Sequence, residues 1–172
     1  VCAAAAGNIG RGDARRQKFA VVRTPWLRVR AGFTRNTPRQ SRKGISAHYD
    51  LGNDMFSLML DPTMMYSCAV FDSPRVSREK ASRRKLEMVC EKLALTEDDH
   101  VVEIGTGWGG FAVYAATTRG CRVTTTTISQ EQFDVAAKRV HEAGVGHLVD
   151  VRLDDYRDLA GTYDKLVCVE MT

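Results

Sequence analysis

Glu103 stands two residues ahead of a run of glycines, at 105, 107, 109 and 110, in the segment VVEIGTGWGGF. Glycines at such spacing let the backbone turn tightly out of a strand and approach a nucleotide closely. Two patterns fit the same residues. Gly105, Gly107 and Gly110 satisfy the G-x-G-x-x-G spacing of dinucleotide sites, whereas Glu103 with Gly105, Gly107 and Gly109 satisfies the acid-x-G-x-G-x-G spacing of methyl-transferring sites. A dinucleotide site places an acid about 20 residues on, at the end of the second strand, against the ribose. Here that strand reads CRVTTTTIS, without an acid, and the first carboxylate downstream is Glu131, already inside the next helical pattern.

A carboxylate such as Glu103 on an otherwise apolar strand is costly unless partnered. It is expected to fix the loop through backbone amides or water, near a ligand bearing positive charge. S-adenosyl-L-methionine, a sulfonium with an ammonium group, is such a ligand. The plainer alternatives are a solvent-facing acid at a strand end and an ordinary tight turn.

The elements that position these residues follow from periodicity. SAHYDLGNDMFSLML opens on Ser46 at an N-cap-like position and sets Leu51, Met55, Leu58 and Met59 at helical spacing, which predicts a core-facing helix stopped by Pro62. SREKASRRKLEMVCEKLAL predicts a second helix, capped by Ser77, with Ala81, Leu86, Val89, Cys90 and Leu93 on one stripe. From His100 onward short apolar runs alternate with amphipathic ones: HVVEIG, GGFAVYAATTRG, CRVTTTTI, SQEQFDVAAKRVHEAG, LVDVRL and YDKLVCVEM. That rhythm predicts an α/β fold, a Rossmann-like, mostly parallel sheet with helices on both faces. Right-handed crossovers then bring the carboxyl ends of the strands, and the glycine loop, to one edge, where ligands bind.

The 172 residues hold 44% hydrophobic and 27% charged residues, ordinary for a globular chain, and no apolar run is long enough to span a bilayer. The five cysteines (2, 68, 90, 121 and 168) are scattered singly, so neither a zinc knuckle nor a disulfide framework is expected, and most read as small buried hydrophobes. No metal site is expected. Charge is uneven: residues 1–43 hold 11 Lys/Arg against Asp13 alone, whereas residues 44–172 hold 14 basic and 20 acidic residues. The organisation expected is a basic N-terminal segment or linker, 1–43, and a globular part, 44–172. KFAVVRTPWLRVR within the former alternates weakly, as a short strand or docking segment would. The chain starts at Val1 and stops just after a strand-like run, as a fragment truncated after about its fourth strand would. Without a secretory signal pattern, a cytoplasmic setting is expected.

ISAHYDLGNDMFSLMLDPTMMYSCAVF, VVEIGTGWGGFA and TTTTISQEQ together resemble the cyclopropane fatty acid synthase family, which includes the mycolic acid cyclopropane synthases. H-Y-D-x-x-N-D followed by D-P-x-x-x-Y-S-C is far more specific than the glycine loop, and the resemblance runs from about Asn36 to Thr172. It also accounts for the missing acid, since the family carries T-x-S-x-x-Q there, matched by Thr127, Ser129 and Gln132.

The resemblance implies a class I S-adenosyl-L-methionine-dependent methyltransferase that converts the cis double bond of a membrane phospholipid acyl chain to a cyclopropane. By the same resemblance, Tyr66 and Ser67 contact the cofactor's methionine end, and Gly105, Thr106, Gly107 and Gly109 cradle it together with Glu103. Thr127 and Gln132 border its ribose, and Asp155 and Tyr156 its adenine. Cys68 and His48 are implied beside a bicarbonate ion that acts as base; the family's bicarbonate-binding glutamate falls three residues beyond Glu170, past Thr172. The implied partners are phospholipid acyl chains and an anionic membrane surface at which the protein is peripheral, with no nucleic acid. Alternatives are methyl transfer to a small molecule, a catalytically inactive fragment, and a non-catalytic module held by its basic arm on membrane or nucleic acid.

Overall fold

The structure, a computed structural model, describes residues 53–169. Expectations for the basic segment, Ser46, His48, Leu51 and Glu170 lie outside those residues. The chain runs through α1 (Asn53–Met59), α2 (Arg78–Leu93), β1 (His100–Ile104), α3 (Gly110–Arg119), β2 (Arg122–Thr126), α4 (Gln130–Glu142), β3 (Val149–Arg152), a 3-10 turn (Tyr156–Asp158) and β4 (Lys165–Cys168). Every strand foreseen from the apolar runs is present. The four strands are all parallel in the order β3-β2-β1-β4, so the chain winds outward from β1 to β3 and then crosses back to β4. That reversal beside β1 is the topological switch point where open parallel sheets bind ligands.

Register shows which side the core takes. Val101, Val123 and Val149 pair across β1, β2 and β3, and all three belong to one buried cluster with Leu86 of α2, Phe111 of α3 and Val140 of α4. The helices α2, α3 and α4 therefore share one face of the sheet. A second helical layer of the expected doubly wound arrangement is not among the described residues.

Local chemistry explains the boundaries. Ser77 caps α2 by accepting from the Lys80 N–H, and Ala94 ends it in a left-handed conformation. Ser129 caps α4 by accepting from the Gln132 N–H, and Gly120 closes α3. Glu87 of α2 ties the layer together, accepting from the Tyr114 hydroxyl at 2.7 Å and from Arg119 at 2.5 Å.

Two expectations are corrected. The apolar residues Met55, Leu58 and Met59 of α1 do not face a core: all three are exposed, and Phe56 is the buried residue. The stripe was assigned by hydrophobicity alone, and the face that packs is the one that meets Trp108. Nor are most described cysteines buried, because Cys90 and Cys121 are but Cys68 and Cys168 are exposed.

Candidate functional site

Three loops meet at the carboxyl edge of the sheet, each tied to its neighbour by backbone. After β1, the N–H groups of Gly105 and Thr106 both donate to the carbonyl of Thr126, at 3.1 and 3.0 Å. After β2, the Thr127 N–H donates to the Arg152 carbonyl at 3.0 Å, and the Thr126 hydroxyl donates to the Asp154 carbonyl. The residues expected around the cofactor on β1, β2 and β3 thus form one rim.

The glycine loop needs its glycines for conformation. Gly105, Gly107 and Gly109 have φ of 91°, 51° and 80°, the left-handed region that side chains disfavour. A Cβ at Gly107 would meet nothing within 4 Å, so steric crowding is not what selects glycine there. Gly110 is different: a Cβ there would lie 2.7 Å from the Thr63 carbonyl oxygen and 2.8 Å from the Met65 sulfur.

Glu103 is 3% exposed and lies under this loop. Its expected partners were backbone amides or water, but register sets it opposite Thr125, whose hydroxyl donates to it at 2.6 Å. Thr125 Oγ1 is in turn 2.7 Å from Thr106 Oγ1. The acid therefore reaches the loop through two hydroxyls. Burial pushes its carboxyl up to about 8, against a smaller lowering by the Thr125 hydrogen bond.

Thr127 and Gln132, both expected at the ribose, lie together, the Thr127 hydroxyl donating to the Gln132 side-chain carbonyl at 2.8 Å. Asp155 is buried and caps the 3-10 turn, while the Arg157 guanidinium clamps both of its oxygens, at 2.8 and 2.5 Å. Tyr156 beside it is exposed.

Tyr66 reaches the glycine loop through aromatic packing. The Phe56 ring lies 5.8 Å from Tyr66 and 4.8 Å from Trp108, centroid to centroid, and Tyr66 lies 6.4 Å from Trp108. Trp108 is buried; Tyr66 is half exposed. Lys85 donates to the buried Ser67 hydroxyl, and Cys68 is exposed in an open groove that Lys85, Lys92 and Cys168 also line.

Arg139 and Thr125 were missed in the sequence, and Asp61 was noted there only as the first residue of the D-P-x-x-x-Y-S-C motif, without a role. Arg139 of α4 donates to three carbonyls: Trp108 at 2.8 Å, Thr63 at 3.1 Å and Pro62 at 3.0 Å. It thereby clamps the segment leading to Tyr66 against the glycine loop. Burial lowers its pKa, an effect the Asp61 carboxylate opposes. Asp61 accepts from the Thr63 N–H and hydroxyl and from the Ser82 hydroxyl, at 2.9, 2.5 and 2.7 Å. Burial works against its charge, yet those hydrogen bonds hold its carboxyl below the usual range. Pairing β1 with β2 in register would have found Thr125; no local pattern marks Arg139, 76 residues from Thr63.

The family model described as mycolic acid cyclopropane synthetase matches residues 36–172. The chain belongs to that family. It is 41% identical over 158 residues to the tuberculostearic acid methyltransferase UfaA1 of Mycobacterium tuberculosis, covering 85% of this chain and 37% of that protein. It is 47% identical over 124 residues to the cyclopropane-fatty-acyl-phospholipid synthase of Escherichia coli, covering 72% of this chain and 31% of that one. Among solved structures, the mycolic acid cyclopropane synthase CmaA1 complexed with SAH and CTAB superposes with a TM-score of 0.70 at 28% identity, over 74% of this chain and 45% of that chain. This family member thus spans about a third of the length of those curated relatives. Its parallel sheet and glycine loop fit the Rossmann-like fold read from the sequence.

Proposed function

We propose that the chain carries the cofactor-binding part of an enzyme that transfers a methyl carbon from S-adenosyl-L-methionine to the cis double bond of an unsaturated phospholipid acyl chain, forming a cyclopropane. One observation carries this reading: Phe56, Tyr66 and Trp108 pack together, so the Y-S-C segment adjoins the glycine loop. A glycine loop alone would suit many nucleotides; the adjoining Y-S-C segment narrows the choice to this family's chemistry.

The residues suit that cofactor. The left-handed glycines turn the backbone sharply between β1 and α3, and Thr127, Gln132 and Asp155 offer polar atoms at the ends of β2 and β3. Arg157 now holds Asp155, so an adenine amine must share that carboxylate or displace the guanidinium.

When bound, the cofactor supplies an electrophilic methyl carbon, to which two C–C bonds form across the alkene as the C–S bond breaks and one proton leaves. An alkene is a weak nucleophile, so holding it in line with that carbon is worth up to ~7–11 kcal/mol. Positive charge passes to the acyl chain, and water must be kept from it. The half-exposed ring of Tyr66 can steady that charge by ~0.5–2 kcal/mol. Bicarbonate at Cys68 and His48 is the base we expect, and the setting is the cytoplasmic face of an anionic membrane.

A methyl-branched product from the same site is the second reading, favoured by the relative named as a tuberculostearic acid methyltransferase. Expressing the whole reading frame and extracting the phospholipids distinguishes them: acyl chains gain either a ring or a branch. Calorimetry in which the chain binds nicotinamide dinucleotide and not S-adenosyl-L-methionine would overturn both.

A further inference from the structure

Six of the 14 basic residues in 44–172 fall between 75 and 85: Arg75, Arg78, Lys80, Arg83, Arg84 and Lys85, against Glu79 alone, although 44–172 carries a net charge of −6. This concentration lies beside exposed apolar residues. Met55, Leu58 and Met59 stand at i, i+3 and i+4 on α1, hence on one helix face, and Leu58 is 88% exposed. Arg78 donates to the Met59 carbonyl, fixing the end of α1 against the start of α2. The Val70 N–H donates to the Ala81 carbonyl at 3.2 Å, which brings the exposed Phe71 next to the same two turns of α2.

Within the described residues Arg83 pairs with Glu79, and Arg84 with Asp72 and Glu91, while Arg75 and Lys80 have no acidic partner. Exposed apolar side chains are costly in water and gain on entering the interfacial layer of a bilayer. Cations beside them gain from anionic headgroups. Nucleic acid would use the cations and leave the apolar residues wet.

We propose that the corner formed by α1 and the first two turns of α2 docks on an anionic lipid bilayer, with Leu58 and Met59 inserted among the acyl chains and Arg75 and Lys80 at the headgroups. Phe56, next to this stripe on the same short helix, packs on Trp108 with ring centroids 4.8 Å apart, so the docked corner lies beside the glycine loop, where a lipid chain would enter. The docking deepens the reading of a lipid substrate and rests on it only for that last step.

The test is sedimentation of the full chain with vesicles of phosphatidylglycerol and phosphatidylcholine that carry saturated chains, without cofactor, across a salt series. With no double bond present, failure here leaves methyl transfer standing as a separate question. Leu58→Asp with Met59→Asp should weaken partitioning about tenfold or more. Arg75→Ala with Lys80→Ala should weaken it about fivefold per cation at low salt and less at high salt. If the first pair unfolds the chain by circular dichroism, the exposed cation pair decides. Unchanged partitioning of the cation pair, or preference of the unaltered chain for duplex DNA over the vesicles, overturns the proposal.

Discussion

The glycine loop and the Pro62–Cys68 segment border the same site but are held by different means. The loop is fixed from within its own sheet, by two backbone bonds to Thr126 and by the chain of Glu103, Thr125 and Thr106. The Pro62–Cys68 segment has no sheet partner; Arg139, the Asp61 network and the Phe56 ring hold it against the loop. The first arrangement makes the loop's shape part of the fold. The second makes the approach of Tyr66 to the loop depend on a few side chains, and it can fail while the sheet survives.

The largest effect expected concerns Glu103, because its cost accumulates with pH. Its folded pKa of about 8 lies above the ordinary 4.5, so as pH rises through that window the unfolded chain loses a proton that the folded chain keeps. Stability should therefore be greatest at the acid end and fall with a slope approaching about 1.4 kcal/mol per pH unit. Urea unfolding of Glu103→Gln should show that slope flattened and higher stability at pH 8. An unchanged slope would mean that the carboxyl is not held neutral beneath the loop.

Arg139→Ala comes next, at about 3 kcal/mol of stability for three carbonyls left without their charged donor. If the clamp positions Tyr66, cofactor affinity falls further than stability explains, and Arg139→Lys, with one ammonium for three acceptors, restores only part of it. Equal affinity after correction for the unfolded fraction would make Arg139 a purely structural residue. Gly110→Ala attacks the same junction from the sheet side. Its Cβ would press on the Thr63 carbonyl at 2.7 Å, costing about 1–3 kcal/mol as the backbone of the two elements moves apart. The same substitution at Gly107 meets no neighbour, so any loss there comes from its φ of 51° alone.

The two regions also differ in how far they could be read beforehand. Glycines, caps and strand alternation act between near neighbours, so the loop, the α2 cap and all four strands were legible. The Y-S-C segment was legible only as a family resemblance. Its clamp joins residues 76 and 77 positions apart, and nothing near Arg139 distinguishes it from the other basic residues of an amphipathic helix. The α1 error has the same root, since hydrophobic spacing finds an apolar stripe but not which side meets Trp108. Glu103 was found as anomalous for the right reason, a buried acid, while its partner needed the register of β1 against β2.

The smallest effect on stability should come at Arg157, which is exposed and joins only near neighbours, Asp155 two residues away and the adjacent Tyr156 ring, 5.8 Å from its guanidinium carbon. Its interest lies in affinity. Asp155 is the third rim position, after the glycine loop and Thr127, and the only one whose polar group is fully engaged by a charged partner. If an adenine amine takes that carboxylate, it competes with the guanidinium, and Arg157→Ala should bind S-adenosylhomocysteine more tightly in calorimetry, with little change in the unfolding curve. Weaker binding would mean that Arg157 orients Asp155 instead, so that the third rim position, like the Pro62–Cys68 segment, depends on a clamp.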